Sequence, residues 1–108
     1  MEKYIPKVGE KLYLRQHTGD DYADMVKEPY TVIKVTKSAV YIQSAKCIFE
    51  WPRRYDSLPI RIEEDIEGHI IKLNYAPKKN KWQIKAYSND TYPRYAYFGT
   101  WAYFPYLN

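Results

Sequence analysis

The chain has 108 residues, 45% of them hydrophobic by type and 28% charged, with a formal net charge of +4. That length sets one domain with a small core, in which folding hides roughly two-thirds of the unfolded surface, and excludes a catalytic cleft backed by a separate cofactor domain. The single cysteine, Cys47, excludes an intramolecular disulfide and a cysteine-built zinc site.

The same cysteine usage favours a reducing compartment. The opening MEKYIPKVGEKLYL carries no apolar run of signal-peptide length, and the longest apolar runs fall far short of the ~20 residues of a membrane span. The expectation is a soluble cytoplasmic protein with no membrane partner. Seven prolines spread from Pro6 to Pro105 leave few windows for a long helix, so the chain reads as strands throughout.

The first predicted strand is Glu10–Gln16, where Leu12 and Leu14 alternate with Lys11, Tyr13 and Arg15. A polar loop follows from His17 to Glu28, holding Gly19 and the acids Asp20, Asp21, Asp24 and Glu28. Tyr30–Val35 is rich in β-branched residues and, through Thr36-Lys37-Ser38, predicts a hairpin with Ala39–Gln43. A fourth strand is expected over 46–51 (KCIFEW). Pro52 and Pro59 bracket a loop with Arg53, Arg54 and Asp56. The segment Pro59–Gly68 is compatible with a short strand or with a turn of helix. The clearest hairpin pairs His69–Tyr75 with Lys81–Tyr87 across Ala76–Asn80. Its alternation turns Ile71, Leu73, Tyr75, Trp82, Ile84 and Ala86 to the core and leaves Lys72, Asn74, Lys81, Gln83, Lys85 and Tyr87 outside. Arg94–Phe98 and Thr100–Phe104 are expected to form a last strand pair hinged near Gly99.

Short strands at close spacing with almost no helix predict an all-β fold, a small closed or half-closed barrel with additional C-terminal strands. Over residues 8–43 the order of VGEKLYLRQ, the polar loop 17–28 and PYTVIKVTKSAVYIQ resembles the start of an SH3-like barrel. The signature residues of the SH3 domains that bind proline-rich peptides are missing, and an OB-like barrel is the nearest alternative. Such barrels host nucleic-acid binders, peptide binders and phage accessory proteins, so the resemblance implies a fold and not one function. Abundant Lys, Ile and Tyr with scarce Gly and Ala are common in AT-rich genomes, among them phages and plasmids.

Catalytic motifs are missing. The chain has no GxSxG, no HExxH and no glycine-rich phosphate loop. Cys47, between apolar neighbours, reads as an inert thiol, and His69 as a strand-edge histidine. His17, Asp20, Asp21 and Asp24 share one loop but lack the D-x-D-x-D-G spacing of a calcium loop, so a solvated acidic loop is the simpler reading. No catalytic residue, metal site or cofactor is expected.

The charge is segregated. Residues 1–50 carry eight bases and seven acids, 51–71 three bases and five acids, and 72–108 six bases with one acid, Asp90. The last stretch also holds eleven aromatics. Cations beside aromatic faces suit the phosphates and bases of single-stranded nucleic acid. The residues expected to make that contact are Lys72, Lys78, Lys79, Lys81, Lys85, Arg94, Tyr87, Tyr92, Tyr95 and Tyr97. Lysines on a hairpin also serve solubility and edge protection, and Phe98, Trp101 and Phe104 can simply close the barrel. The alternative is a protein-binding module, a small phage- or mobile-element-encoded inhibitor of a host protein of the anti-defence kind. It would use Tyr95, Tyr97, Trp101 and Tyr103 as its contact surface and Asp20, Asp21 and Asp24 as a specificity rim. Homodimerisation through the aromatic surface is compatible with either.

Overall fold

The computed structural model describes residues 3–16, 26–52, 58–84 and 94–104. Among them are eight strands and no helix: β1 Lys11–Gln16, β2 Lys27–Val35, β3 Ala39–Ser44, β4 Lys46–Ile48, β5 Arg61–Glu63, β6 Ile70–Ala76, β7 Lys81–Ile84 and β8 Arg94–Phe98. Six of them close an antiparallel barrel in the order β1-β2-β3-β6-β7-β8, with β8 returning to β1. β4 and β5 pair only with each other, as an excursion between β3 and β6. This is the expected small all-β barrel, compatible with the SH3-like and OB-like classes.

Period-two alternation builds the core. Leu12 and Leu14 of β1, Tyr30 and Val32 of β2, Val40 and Ile42 of β3, Leu73 of β6, Trp82 of β7 and Ala96 of β8 all point inward. Val35, Ile71, Tyr75, Ile84 and Phe98 pack against them. Each fully buried aliphatic side chain contributes on the order of 1.5–3 kcal/mol. Strict alternation along β2 would turn Val35 outward after Tyr30 and Val32. A register shift between Val32 and Lys34 makes Ile33 an extra residue, so Val35 faces Val40 inside the barrel.

The hairpins use the chemistry of their turn residues. Thr36 Oγ1 accepts from Ala39 N at 3.0 Å, closing the turn between β2 and β3. Asn80, with φ of 51°, takes the left-handed conformation that ends the Pro77–Asn80 turn, and its Oδ1 accepts from the Tyr75 hydroxyl. Gly68 sits against β3, where a Cβ would collide with the Ser44 carbonyl oxygen and lie 2.6 Å from Ser44 Oγ. Gln43 Nε2 donates to the Ile66 and Gly68 carbonyls at 2.9 and 3.1 Å, binding the 66–68 turn to the barrel.

Several boundaries differ from the sequence expectation. β2 begins at Lys27, three residues early, because its ladder with β1 continues through Tyr13–Pro29, Leu14–Glu28 and Arg15–Lys27, and Lys27 also exchanges both backbone hydrogen bonds with Phe104. The fourth strand stops at Ile48, and the open segment 59–68 resolves into β5 and a turn at Ile66–Glu67. Thr100–Phe104 is no strand partner for Arg94–Phe98. β8 pairs instead with β1 and β7. At Gly99 (φ 107°) the chain leaves β8, with Gly99 N donating to Lys11 O at 2.7 Å. It then crosses β1 and β2 to the Phe104 bridge, and Trp101 Nε1 donates to Tyr30 O at 3.0 Å on the way.

Candidate functional site

Closure of β8 onto β1 brings together outward positions that lie far apart in the chain. The inward Leu12 and Leu14 leave Lys11, Tyr13 and Arg15 of β1 outside. Inward Ala96 and Phe98 leave Tyr95 and Tyr97 of β8 outside, and inward Trp82 leaves Lys81 and Gln83 of β7 outside. Pairing sets Tyr97 opposite Tyr13, Tyr95 opposite both Arg15 and Gln83, and Arg15 opposite Lys27. Four neighbouring strands thus present Lys81, Lys11, Arg15 and Lys27 with Tyr13, Tyr95 and Tyr97, and their outward positions carry no carboxylate.

Rings and cations on this face are in direct contact. Tyr13 and Tyr97 stack at 5.2 Å and 15°. Lys81 Nζ lies 5.1 Å from the Tyr95 ring centre and 4.9 Å from that of Tyr97, and donates to the Tyr97 hydroxyl at 3.2 Å. Lys27 Nζ is 5.5 Å from the Tyr13 ring, and Lys11 Nζ is 4.3 Å from that of Trp101. Such contacts hold a flexible ammonium within reach of a ring without neutralising it. Among the described residues, Glu28 and Glu10 are engaged at the ends of the barrel. Glu28 pairs with Arg94 at 3.6 Å and accepts from the Tyr30 hydroxyl at 3.2 Å. Burial first, and then Glu28, push the Tyr30 phenol above its ordinary range, so it stays a donor. Glu10 accepts from the Tyr4 hydroxyl, which raises the Tyr4 pKa to about 12.

Of the residues expected to contact nucleic acid, Lys81, Tyr95 and Tyr97 come together here, with Arg94 at the start of β8 drawn to Glu28. Tyr95 is only 8% exposed, so its ring is less accessible than those of Tyr13 and Tyr97, which are half-buried. Lys72 is exposed on β6 opposite Tyr41, away from this face, and Lys78 and Lys79 are exposed in the Pro77–Asn80 turn. Lys85, Tyr87 and Tyr92 lie outside the described residues, as do Asp20, Asp21 and Asp24 of the alternative protein-binding set. Trp101 and Tyr103 of that set are half-buried in the crossing segment, Tyr103 edge-on to Phe49 at 5.5 Å. Sequence reasoning missed Lys11, Tyr13, Arg15 and Lys27 as site residues. The signal was present in the outward half of KLYLR, but only closure onto β8 gives it tyrosine neighbours.

Elsewhere the chain exposes large apolar side chains. The excursion and its flanks expose Trp51 and Ile66 at 91% each, together with Leu58, Ile60 and Ile70. Val8, Ile33 and Ile66 with Gln43, Glu64 and Asp65 wall a cleft of about 250 Å³, to which Thr31 also contributes. Among the described residues no three His, Cys, Asp or Glu side chains converge as a metal site would require, and no helix is long and apolar enough to cross a membrane. Comparison of the chain with protein-family models, with characterised proteins and with solved structures finds no match.

Proposed function

We propose that the chain is a non-catalytic binding module that engages nucleic acid, single strands in preference, through the outer face of β7, β8, β1 and the start of β2. The observation that supports this most is the carboxylate-free set of outward positions carrying Lys81, Lys11, Arg15 and Lys27 beside Tyr13, Tyr95 and Tyr97. Anionic backbones are held by cations that displace condensed counterions, and bases add stacking on aromatic rings at about 1–3 kcal/mol each. The exposed Lys78 and Lys79 extend the positive field, and Lys72 does so from β6, while the charge of Arg94 is offset by Glu28. The test is titration of the protein with labelled single-stranded DNA and RNA at low and near-physiological salt. Low-micromolar or tighter binding that weakens steeply with salt supports the reading, and no binding at low salt overturns it.

A protein-binding role is the second reading, favoured by the exposure of Trp51, Leu58, Ile60, Ile66 and Ile70. Large exposed apolar side chains mark interaction surfaces. In this reading the chain is a small inhibitor of a host protein, of the anti-defence kind carried by phages and mobile elements. Its contact surface shifts from the aromatic tail, where Trp101 and Tyr103 are half-buried, to the β4–β5 excursion. Partner capture that is lost on Trp51→Ala/Ile66→Ser and indifferent to salt distinguishes it.

A further inference from the structure

Where the chain leaves β8, the segment preceding β1 folds against β7 and β8. Trp82 Nε1 donates to Tyr4 O at 2.7 Å, and the Tyr4 ring lies 5.2 Å from that of Phe98. These contacts leave a cleft of about 370 Å³ whose walls include Tyr4, Glu10, Asn80, Lys81, Tyr97 and Phe98. That volume falls in the ~300–1,000 Å³ range of small-molecule sites. Lys81 and Tyr97 belong both to this cleft and to the cationic face, so a strand lying on the face passes its mouth.

Tyr4 and Phe98 touch and so form one aromatic wall, and the polar groups of the cleft define what fits against it. Glu10 Oε2 already accepts from the Tyr4 hydroxyl, and Oε1 from Lys7 N at 3.1 Å. A carboxylate offers about four lone-pair sites, so each oxygen keeps one, and the pair asks for two adjacent donors. Asn80 Oδ1 is taken by the Tyr75 hydroxyl, which leaves its amide nitrogen as a donor, and Lys81 is the cation of the same cleft. The cleft therefore matches a flat ring whose edge reads donor, donor, acceptor. Guanine reads that way: N1–H and an N2–H for the two carboxylate oxygens, and O6 for Asn80 or Lys81. Adenine and cytosine set a ring lone pair beside their one amino group, and uracil and thymine flank one N–H with two carbonyls. All four would turn a lone pair towards the carboxylate.

We propose that this cleft is a base subsite selective for guanine, with the touching Tyr4 and Phe98 rings as its one aromatic wall and Glu10 as its reading group. As a site for a base within a strand, the proposal rests on the nucleic-acid reading above. Unpaired bases splayed from a strand are read in this manner, by stacking and by hydrogen bonds to the Watson–Crick edge.

The test uses the full chain and short thymidine strands with one central guanine, inosine or adenine. Inosine keeps N1–H and O6 but lacks the N2 amino group. The expected result is a preference for guanine over inosine and adenine of about tenfold or more, as a bidentate base contact gives. Glu10→Gln is expected to bring the three strands to similar affinity. A parallel titration with free GMP and AMP separates a base in a strand from a mononucleotide. Strands that bind with no preference overturn the guanine site and leave the cationic face standing. GMP binding selectively while no strand binds supports the site and overturns the nucleic-acid reading. Failure of both strands and GMP overturns the two together. The inosine comparison needs no variant, so it holds even where Glu10→Gln loosens the segment before β1.

Discussion

Neutralising Lys27 and Lys81 together tests whether the outer face of β7, β8, β1 and β2 holds a nucleic-acid backbone. Four cations point outward there, Lys81, Lys11, Arg15 and Lys27. Each single-strand phosphate neutralised contributes about −0.7 to the slope of log K against log salt, so four give a slope of about −2.8 and about a 50-fold loss between roughly 50 and 200 mM salt. Lys27→Gln/Lys81→Gln removes two of the four. The expected slope is about −1.4, with only about a sevenfold loss over the same interval. The control is Lys37→Gln/Lys46→Gln, which removes the same net charge from exposed positions at the β2–β3 turn and on β4. Fluorescence anisotropy with a labelled single strand across a salt series reads both slopes, and urea unfolding checks that each variant stays folded. The reasoning is refuted if the Lys27/Lys81 variant keeps the full slope. It is equally refuted if the control loses as much, because net charge rather than a placed face then governs binding.

Other perturbations probe the scaffold. Leu73, fully buried on β6, costs about 2–5 kcal/mol when cut to alanine, read as a lower urea midpoint. Thr31 is 7% exposed and its Oγ1 has no hydrogen-bond partner, so Thr31→Val is expected to raise stability by roughly 1 kcal/mol; a loss would show that the hydroxyl is satisfied in solution. Gly68→Ala sets a Cβ into the Ser44 carbonyl, and a loss of about 1–3 kcal/mol is expected, with faster proteolysis of the 64–68 turn. The Tyr4 phenol, held up to about 12 chiefly by its hydrogen bond to Glu10, keeps its proton longer in the folded chain than in the unfolded one. Its contribution is therefore complete below pH 10 and is lost as pH rises towards 12, and Tyr4→Phe removes that alkaline dependence from the unfolding midpoint.

Much of the barrel was legible because its strands alternate cleanly. KLYLR, AVYIQ and the hairpin from Ile71 to Ile84 each show which residues face inward, and Leu12, Leu14, Val40, Ile42, Leu73 and Trp82 are buried as that pattern requires. Two features escaped for physical reasons. The bulge at Ile33 breaks the period by one residue, and nothing local marks it. Thr100–Phe104 has strand-like composition but follows Gly99 at a positive φ, which sends it across β1 and β2 instead of back along β8. The site was half legible. Lys81, Tyr95 and Tyr97 stand in one stretch of sequence, whereas Lys11, Tyr13 and Arg15 join them through a pairing some eighty residues away in the chain.

That long-range pairing also bears on what the proposed binding would ask of an aromatic, cationic face. The six barrel strands leave no free sheet edge on this face, and open edges remain on the two-stranded β4–β5 excursion. On the face itself, Lys81 covers Tyr95 and Tyr97, and Lys27 approaches Tyr13, so rings that would otherwise be sticky are partly screened by cations. A cation–π contact at an exposed site is worth about 0.5–1 kcal/mol, less than the roughly 1–3 kcal/mol of stacking per base. On the nucleic-acid reading proposed above, a strand would exchange the pairs, taking the ammonium with a phosphate and an accessible ring with a base, while the unoccupied face remains screened. This exchange ties aromatic contribution to lysine position: a Tyr97→Leu variant should lose both its stacking partner and the hydroxyl that holds Lys81 at 3.2 Å. It should therefore weaken strand binding more than the loss of one base stack, with a smaller salt slope as well. A change in affinity with no change in slope would show that the ring and the ammonium act independently.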